Sequence, residues 1–143
     1  KPDLFIIDLR LKLKKNLSVF KMIKKRKIFL ITSKENRKNI DFFKKKGIKI
    51  LFIKSLNSKI DFILLLKLIY SLGYCRPFFE TGLTFLNSLI NFKLINNLYI
   101  LQNNLKLKKN GLNNASLKYL KKIKLNKKIN VNLNNDNLYK IEF

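Results

Sequence analysis

Histidine and tryptophan are both absent from this chain of 143 residues, which also has only one cysteine and two prolines. Without histidine the chain lacks the commonest metal ligand and the usual general base near neutral pH, so we expect neither a metal centre nor a histidine-dependent catalytic triad. The one cysteine, Cys75, cannot form an intrachain disulfide. Such cysteine usage is typical of a reducing compartment and predicts a cytoplasmic protein.

Long apolar runs are also missing. The most apolar stretch, residues 60–72, is short and carries Asp61 and Lys67, so we predict no membrane span. The chain begins at Lys1 without an initiator Met and without a signal-peptide pattern, and we expect it to be part of a longer protein. A length of 143 residues with 47% hydrophobic residues predicts one globular domain over residues 1–143.

Acidic residues are scarce, because 8 Asp and Glu face 32 Lys and Arg and give a formal net charge of +24. Such a charge attracts phosphates, so a basic nucleic-acid-binding module is one alternative. The basic residues are spread from Lys1 to Lys140, among many Asn, Ile, Leu and Phe residues. A binding face would concentrate them instead. We therefore interpret the charge as the compositional bias of an AT-rich genome and disfavour nucleic acid as a partner.

The order of apolar runs predicts the fold class. Runs rich in strand-forming residues lie at residues 4–7, 28–32, 48–53, 76–79 and 98–101. Helical patterns lie at residues 17–23, 36–46, 59–72 and 83–92, with Ser33 and Ser58 as N-caps of the second and third. Residues 102–115 are interpreted as a loop, and residues 129–143 as an antiparallel hairpin around an Asn-rich turn. The prediction is an α/β fold: a mixed, mainly parallel sheet flanked by helices, with a C-terminal antiparallel hairpin.

One junction combines a predicted strand, an acid, a glycine and a helix start. Glu80 would sit at the carboxyl end of strand 76–79, the edge where open α/β sheets bind ligands. Gly82 and Leu83 would open the helix, whose N–H groups can receive a phosphate with help from the hydroxyl of Thr84. The alternative is an ordinary strand-to-helix turn capped by Thr81 or Glu80, since a single Glu-x-Gly is a weak motif.

Several motifs in the same order resemble the reductase domain of the bifunctional riboflavin-biosynthesis deaminase-reductase. The family's Val-Glu-Gly-Gly-x-Thr-Leu and Gly-Leu-Val-Asp-Glu-Leu stretches are similar to Phe79-Glu80-Thr81-Gly82-Leu83-Thr84-Phe85 and to residues 89–98 here. Its Val-Leu-Asp-Ser-Arg-Leu strand end is similar to Ile6-Ile7-Asp8-Leu9-Arg10-Leu11, and residues 61–73 match the helix before the Glu-Gly strand.

The resemblance implies a dihydrofolate-reductase-like fold. It also implies that NADPH reduces 5-amino-6-(5-phosphoribosylamino)uracil, a phosphorylated ribosylamino-pyrimidine, to its ribitylamino form. By position, Glu80 would contact the substrate. The residues that would line the NADPH site are Leu9, Gly82, Leu83, Thr84, Phe85, Leu86, Asn87 and Ser88. Leu9 stands where the family usually has a hydroxyl side chain.

The resemblance covers about the last two thirds of the family's reductase domain, so we expect an N-terminally truncated domain. The catalytic residue stays unassigned, although Asp8 and Glu80 both end predicted strands. A homodimer and an upstream or separate deaminase domain are left open. A catalytically silent reductase-like domain is the second alternative to the enzyme.

Overall fold

A computed structural model describes residues 1–103, 123–125, 127–131, 133 and 136–143. The chain folds into two compact units, Lys1–Cys75 and Arg76–Phe143. The expectation of one domain over residues 1–143 stays a prediction. In the part of the chain that the structure describes, no helix has the length and apolar character needed to cross a membrane.

The first unit is built on a parallel sheet. Strands β1 (Leu4–Ile7), β2 (Ile28–Ser33) and β3 (Lys49–Ile53) lie in the order β1-β2-β3. Both pairs are parallel, with Leu4 opposite Ile28 and Phe29 opposite Lys49. These strands confirm the first three predicted strands to within a residue at their ends. Every residue of β2 is buried, as expected for the central strand of a parallel sheet covered on both faces.

Alternate residues of β2 build two apolar layers, because successive side chains of a strand point to opposite faces. On one face Ile28 and Leu30 join Phe20, Phe43 and Ile48 in a buried cluster. The ring of Phe29 belongs to the opposite face. It stacks on Phe5 with centroids 4.5 Å apart and meets the ring of Tyr74 at 5.8 Å. The core of this unit is therefore centred on β2.

Short helices connect the parallel strands. A 3₁₀ helix, Ser18–Met22, replaces the weak helix predicted over residues 17–23. The predicted helix over residues 36–46 is divided into a 3₁₀ helix, Lys34–Asn39, and α1, Asp41–Lys45. None of the residues of Lys34–Asn39 is buried, so apolar packing does not hold this segment in a regular α-helix.

The helix α2, Lys59–Ser71, begins at a capping box. The hydroxyl of Ser58 accepts a hydrogen bond from the Asp61 amide at 3.3 Å, and the Asp61 carboxylate accepts one from the Ser58 amide at 3.1 Å. These two bonds satisfy donors that a helix start leaves without partners, and they confirm Ser58 as the predicted N-cap. The outer face stays open, since Ile60 and Leu64 are exposed.

The second unit contains α3 and an antiparallel sheet. The helix α3, Leu83–Asn91, is followed by β4 (Asn97–Gln102), β5 (Lys128–Ile129) and β6 (Asn137–Glu142), in the sheet order β4-β6-β5. Both pairs are antiparallel. The predicted C-terminal pairing is confirmed by β5 and β6, with Ile129 opposite Leu138. Most of the predicted loop over residues 102–115 lies outside the described residues.

The α/β class, with parallel strands first and antiparallel strands last, is confirmed. A single mixed sheet is not what the described residues form, because their strands make two separate sheets of three. One predicted strand is wrong: residues 76–79 are in no strand. Pro77 has no N–H to donate, and Phe78 is 81% exposed, so neither hydrogen bonding nor burial favours sheet formation there.

Candidate functional site

The predicted phosphate-binding segment lies at the start of α3. Gly82 is the N-cap, with extended backbone angles of φ −72° and ψ 164°. Its carbonyl accepts the helical hydrogen bond from the Leu86 amide at 3.1 Å. The predicted helix start is therefore confirmed.

The start of α3 has no side-chain cap of the kind that Ser58 gives α2. Gly82 itself has no side chain, and the hydroxyl of Thr81 makes its contact with the Gly82 carbonyl oxygen, at 3.4 Å, rather than with a helix amide. An uncapped helix start carries a partial positive charge and N–H donors that an anion can satisfy. A Cβ placed on Gly82 would have no heavy atom within 4 Å other than those of Gly82 itself and its two chain neighbours, so the space beside its backbone is open.

The predicted site residues of this unit differ in their exposure to solvent. Glu80, Gly82 and Thr84 are exposed, whereas the other predicted positions are half-buried: Leu83, Phe85, Leu86, Asn87 and Ser88. The ring of Phe85 lies 5.9 Å from that of Phe79, and the hydroxyl of Ser88 donates to the Thr84 carbonyl at 3.2 Å. The surface that a ligand can reach from solvent is therefore centred on Glu80, Gly82 and Thr84.

Glu80 does not end a strand, because residues 76–79 form none. The expectation that a sheet edge holds its carboxylate is thus wrong, and the residue lies in a segment without regular secondary structure just before α3. Glu80 still precedes the N-cap Gly82 by two residues and is exposed, as Gly82 is.

Leu9, the remaining predicted position, belongs to the first unit and follows β1. Its carbonyl accepts a hydrogen bond from the Asn36 amide nitrogen Nδ2 at 2.7 Å, and the same Nδ2 donates to Thr32 Oγ1 at 3.0 Å. Asp8, one of the two carboxylates at a predicted strand end, accepts a hydrogen bond from the Leu13 amide at 2.7 Å. Asp8 therefore shapes the turn after β1.

A concave site that the sequence reasoning missed lies in the first unit. It is a cleft of about 410 Å³ between the segments that follow β1 and β2. Its lining residues are Arg10, Leu11, Leu13, Lys15, Asn36, Lys38, Asn39, Asp41, Phe42 and Phe43. Arg10 and Lys38 are far apart in the sequence, so only the parallel pairing of β1 with β2 brings their segments together. The one signal in the sequence is that both groups of residues follow predicted parallel strands.

No protein-family model matches this chain, and no curated protein matches it significantly.

Proposed function

We propose that the chain is an NADPH-dependent oxidoreductase that converts 5-amino-6-(5-phosphoribosylamino)uracil to its ribitylamino form in riboflavin biosynthesis. The observation that carries the proposal is the start of α3, where Glu80, Gly82 and Thr84 are exposed and the helix lacks a side-chain cap. It is also the segment with the strongest resemblance to the riboflavin-pathway reductases.

The arrangement of elements supports the same proposal at a coarser level. Three parallel strands, then two longer helices, then antiparallel strands follow each other in chain order. This order is compatible with a dihydrofolate-reductase-like domain, which is the fold that we propose. We also propose a cytoplasmic location, where a reducing environment suits the exposed thiol of Cys75.

The chemistry of the α3 start fits a dinucleotide that carries several phosphates. Amides at a helix start can donate to phosphate oxygens, and the open space beside Gly82 lets an anion approach the backbone. Glu80, as a carboxylate, can accept hydrogen bonds from the substrate. When bound, NADPH would supply the hydride that reduces the sugar carbon of the opened imine, while a proton from solvent adds to its nitrogen. The protein's part is to position both ligands and exclude water.

Turnover tests the proposal directly. NADPH consumption should depend on the added pyrimidine and yield the ribitylamino product. Glu80→Gln should raise KM for the pyrimidine about tenfold, because it weakens a charge-assisted hydrogen bond, and should leave NADPH affinity unchanged. Absence of both saturable NADPH binding and turnover would contradict the enzyme and favour the silent reductase-like domain. Leu9 supports that second candidate, since its side chain cannot make the hydrogen bond that a hydroxyl residue would make to the cofactor.

A further inference from the structure

The cleft of the first unit lies at the carboxyl ends of two parallel strands. Open α/β sheets bind their ligands outside the carboxyl ends of the strands. Here the two loops are joined, because Asn36 Nδ2 donates both to the Leu9 carbonyl after β1 and to Thr32 Oγ1 in β2. The joined loops form a preorganised wall, so a ligand would not need to order them.

The cleft carries an excess of positive charge. Arg10, Lys15 and Lys38 line it, against the single carboxylate of Asp41. Among the residues that the structure describes, none of these three cations has an ion-pair partner. The salt bridge found there joins Lys140 to Glu142. The Lys15 ammonium instead lies 5.3 Å from the centre of the Phe42 ring. Unneutralised cations along a concave wall concentrate anions there.

The backbone of the cleft is strained at Leu11. Its φ of +50° lies in the left-handed region that favours glycine, and among the described non-glycine residues only Lys93 shares this feature. A side chain held in this region is strained, and such strain is concentrated at ligand sites. The amide of Leu11 bonds back to the Asp8 carbonyl at 3.2 Å, so the strain belongs to the turn that brings Arg10 to the cleft.

We propose that this cleft binds the phosphate group of a small phosphomonoester, with Arg10, Lys15 and Lys38 as its cationic contacts. A phosphomonoester carries up to two negative charges at neutral pH and three acceptor oxygens. The Arg10 guanidinium offers paired donors, and the two ammonium groups act as point charges. A volume of about 410 Å³ is that of a small-molecule site, and Phe42 offers an apolar wall beside the cations.

Inorganic phosphate is the first probe. Calorimetry or phosphorus NMR on the full chain measures its binding. Arg10→Gln and Lys38→Gln should each weaken phosphate binding about tenfold, because each removes a charge-assisted hydrogen bond. The control is Lys44→Gln in α1, which removes the same charge from an exposed residue outside the cleft. This control matters because the whole chain is basic. Binding that falls equally in all three variants, or that never saturates, would overturn the site.

Competition then identifies the ligand that carries the phosphate. Displacement by ribose 5-phosphate and not by ribose supports a sugar phosphate. Displacement by NADP⁺ and not by NAD⁺ supports the extra phosphate of the dinucleotide. If only a single-stranded oligonucleotide displaces phosphate, the small-molecule assignment is wrong and the cleft is part of a nucleic-acid surface. The two proposals fail separately: an inactive protein that still binds phosphate at Arg10 would reject the reductase alone, whereas an active protein that does not bind phosphate there would reject the cleft alone.

Discussion

Asp3 and Tyr74 join the beginning of the first unit to its end. The Tyr74 hydroxyl donates a short hydrogen bond to the Asp3 carboxylate, which also accepts one from the Lys27 amide at 2.9 Å. The Tyr74 ring packs against Phe5 at 4.9 Å between centroids. These contacts hold the segment after α2 against β1, so they should matter for the stability of the whole unit.

The pKa values of this pair predict how stability depends on pH. The hydrogen bond from Tyr74, followed by the one from the Lys27 amide, lowers the pKa of Asp3. A lowered carboxylate pKa adds stability above the ordinary value of about 4, and this stability is lost as the pH falls through the folded-state pKa. The same hydrogen bond raises the pKa of Tyr74. The stability that the Tyr74 hydroxyl contributes is present below about pH 10 and is lost as the pH rises through its raised pKa.

Removing the Tyr74 hydroxyl tests this contact. Tyr74→Phe should lower the midpoint of urea unfolding at pH 7, because Asp3 loses its largest stabilising partner. The loss should begin to shrink as the pH falls below about 4 and should disappear as the pH passes through the lowered pKa of Asp3, where the carboxylate becomes protonated in the folded protein as well. Tyr70→Phe is the control, since Tyr70 is 66% exposed. Equal effects of the two substitutions, or a loss that does not depend on pH, would contradict the role of the hydrogen bond.

Among the features of individual helices and strands, the helix ends were predicted best from the sequence. Ser33 and Ser58 cap their helices, and Gly47 and Gly73 follow helix ends with φ values of +81° and +93°. Such signals depend on residues within one turn of each other, so they can be interpreted without knowledge of the tertiary fold. The prediction of a strand at residues 76–79 was wrong because a strand depends on contacts with residues that are distant in the sequence. A strand needs a partner that local sequence does not specify.

Glycine substitutions at two helix ends should differ in effect. Gly73→Ala should destabilise the protein by about 1 kcal/mol, because the left-handed backbone there disfavours a Cβ. Gly82→Ala should destabilise the protein by less than Gly73→Ala, since the φ of Gly82 is −72° and a Cβ there would have open space, and only the poorer N-cap preference of Ala remains. Chemical denaturation at equilibrium measures both. A larger loss for Gly82→Ala than for Gly73→Ala would mean that Gly82 has a packing role that the structure does not explain.

The two candidate sites differ in whether neighbouring residues of the sequence can predict them. The α3 start was found because its residues are contiguous in sequence, from Glu80 to Ser88. The cleft of the first unit was missed because the segments that carry Arg10 and Lys38 follow two different strands, and the pairing of β1 with β2 is a tertiary contact. A charge pattern in the sequence could not separate Lys38 from the other lysines of so basic a chain.

Net charge dominates the behaviour of the whole molecule. A formal charge of +24 on 143 residues produces self-repulsion that is stronger in the compact state than in the extended chain. With one salt bridge among the residues that the structure describes, little of this charge is paired locally. The stability of the protein should therefore depend on how well salt screens it.

Raising the salt concentration should raise the melting temperature. Potassium chloride shortens the Debye length from about 10 Å at 0.1 M to about 3 Å at 1 M, so it should screen the repulsion between exposed lysines. Thermal unfolding followed by circular dichroism over this range measures the effect. A melting temperature that falls or stays constant would show that repulsion between the basic residues does not limit stability.

The central claim is that the start of α3 binds a dinucleotide, and an NADPH titration followed by nicotinamide fluorescence tests it most directly. The account predicts saturable binding to the unmodified chain. Gly82→Val should weaken it about tenfold, because branched carbons fill the open space through which the phosphates approach the backbone. Asn91→Ala, at the other end of α3, should bind like the unmodified chain. Fluorescence that never saturates, or a Gly82→Val variant that binds NADPH as tightly as Asn91→Ala, would contradict the claim.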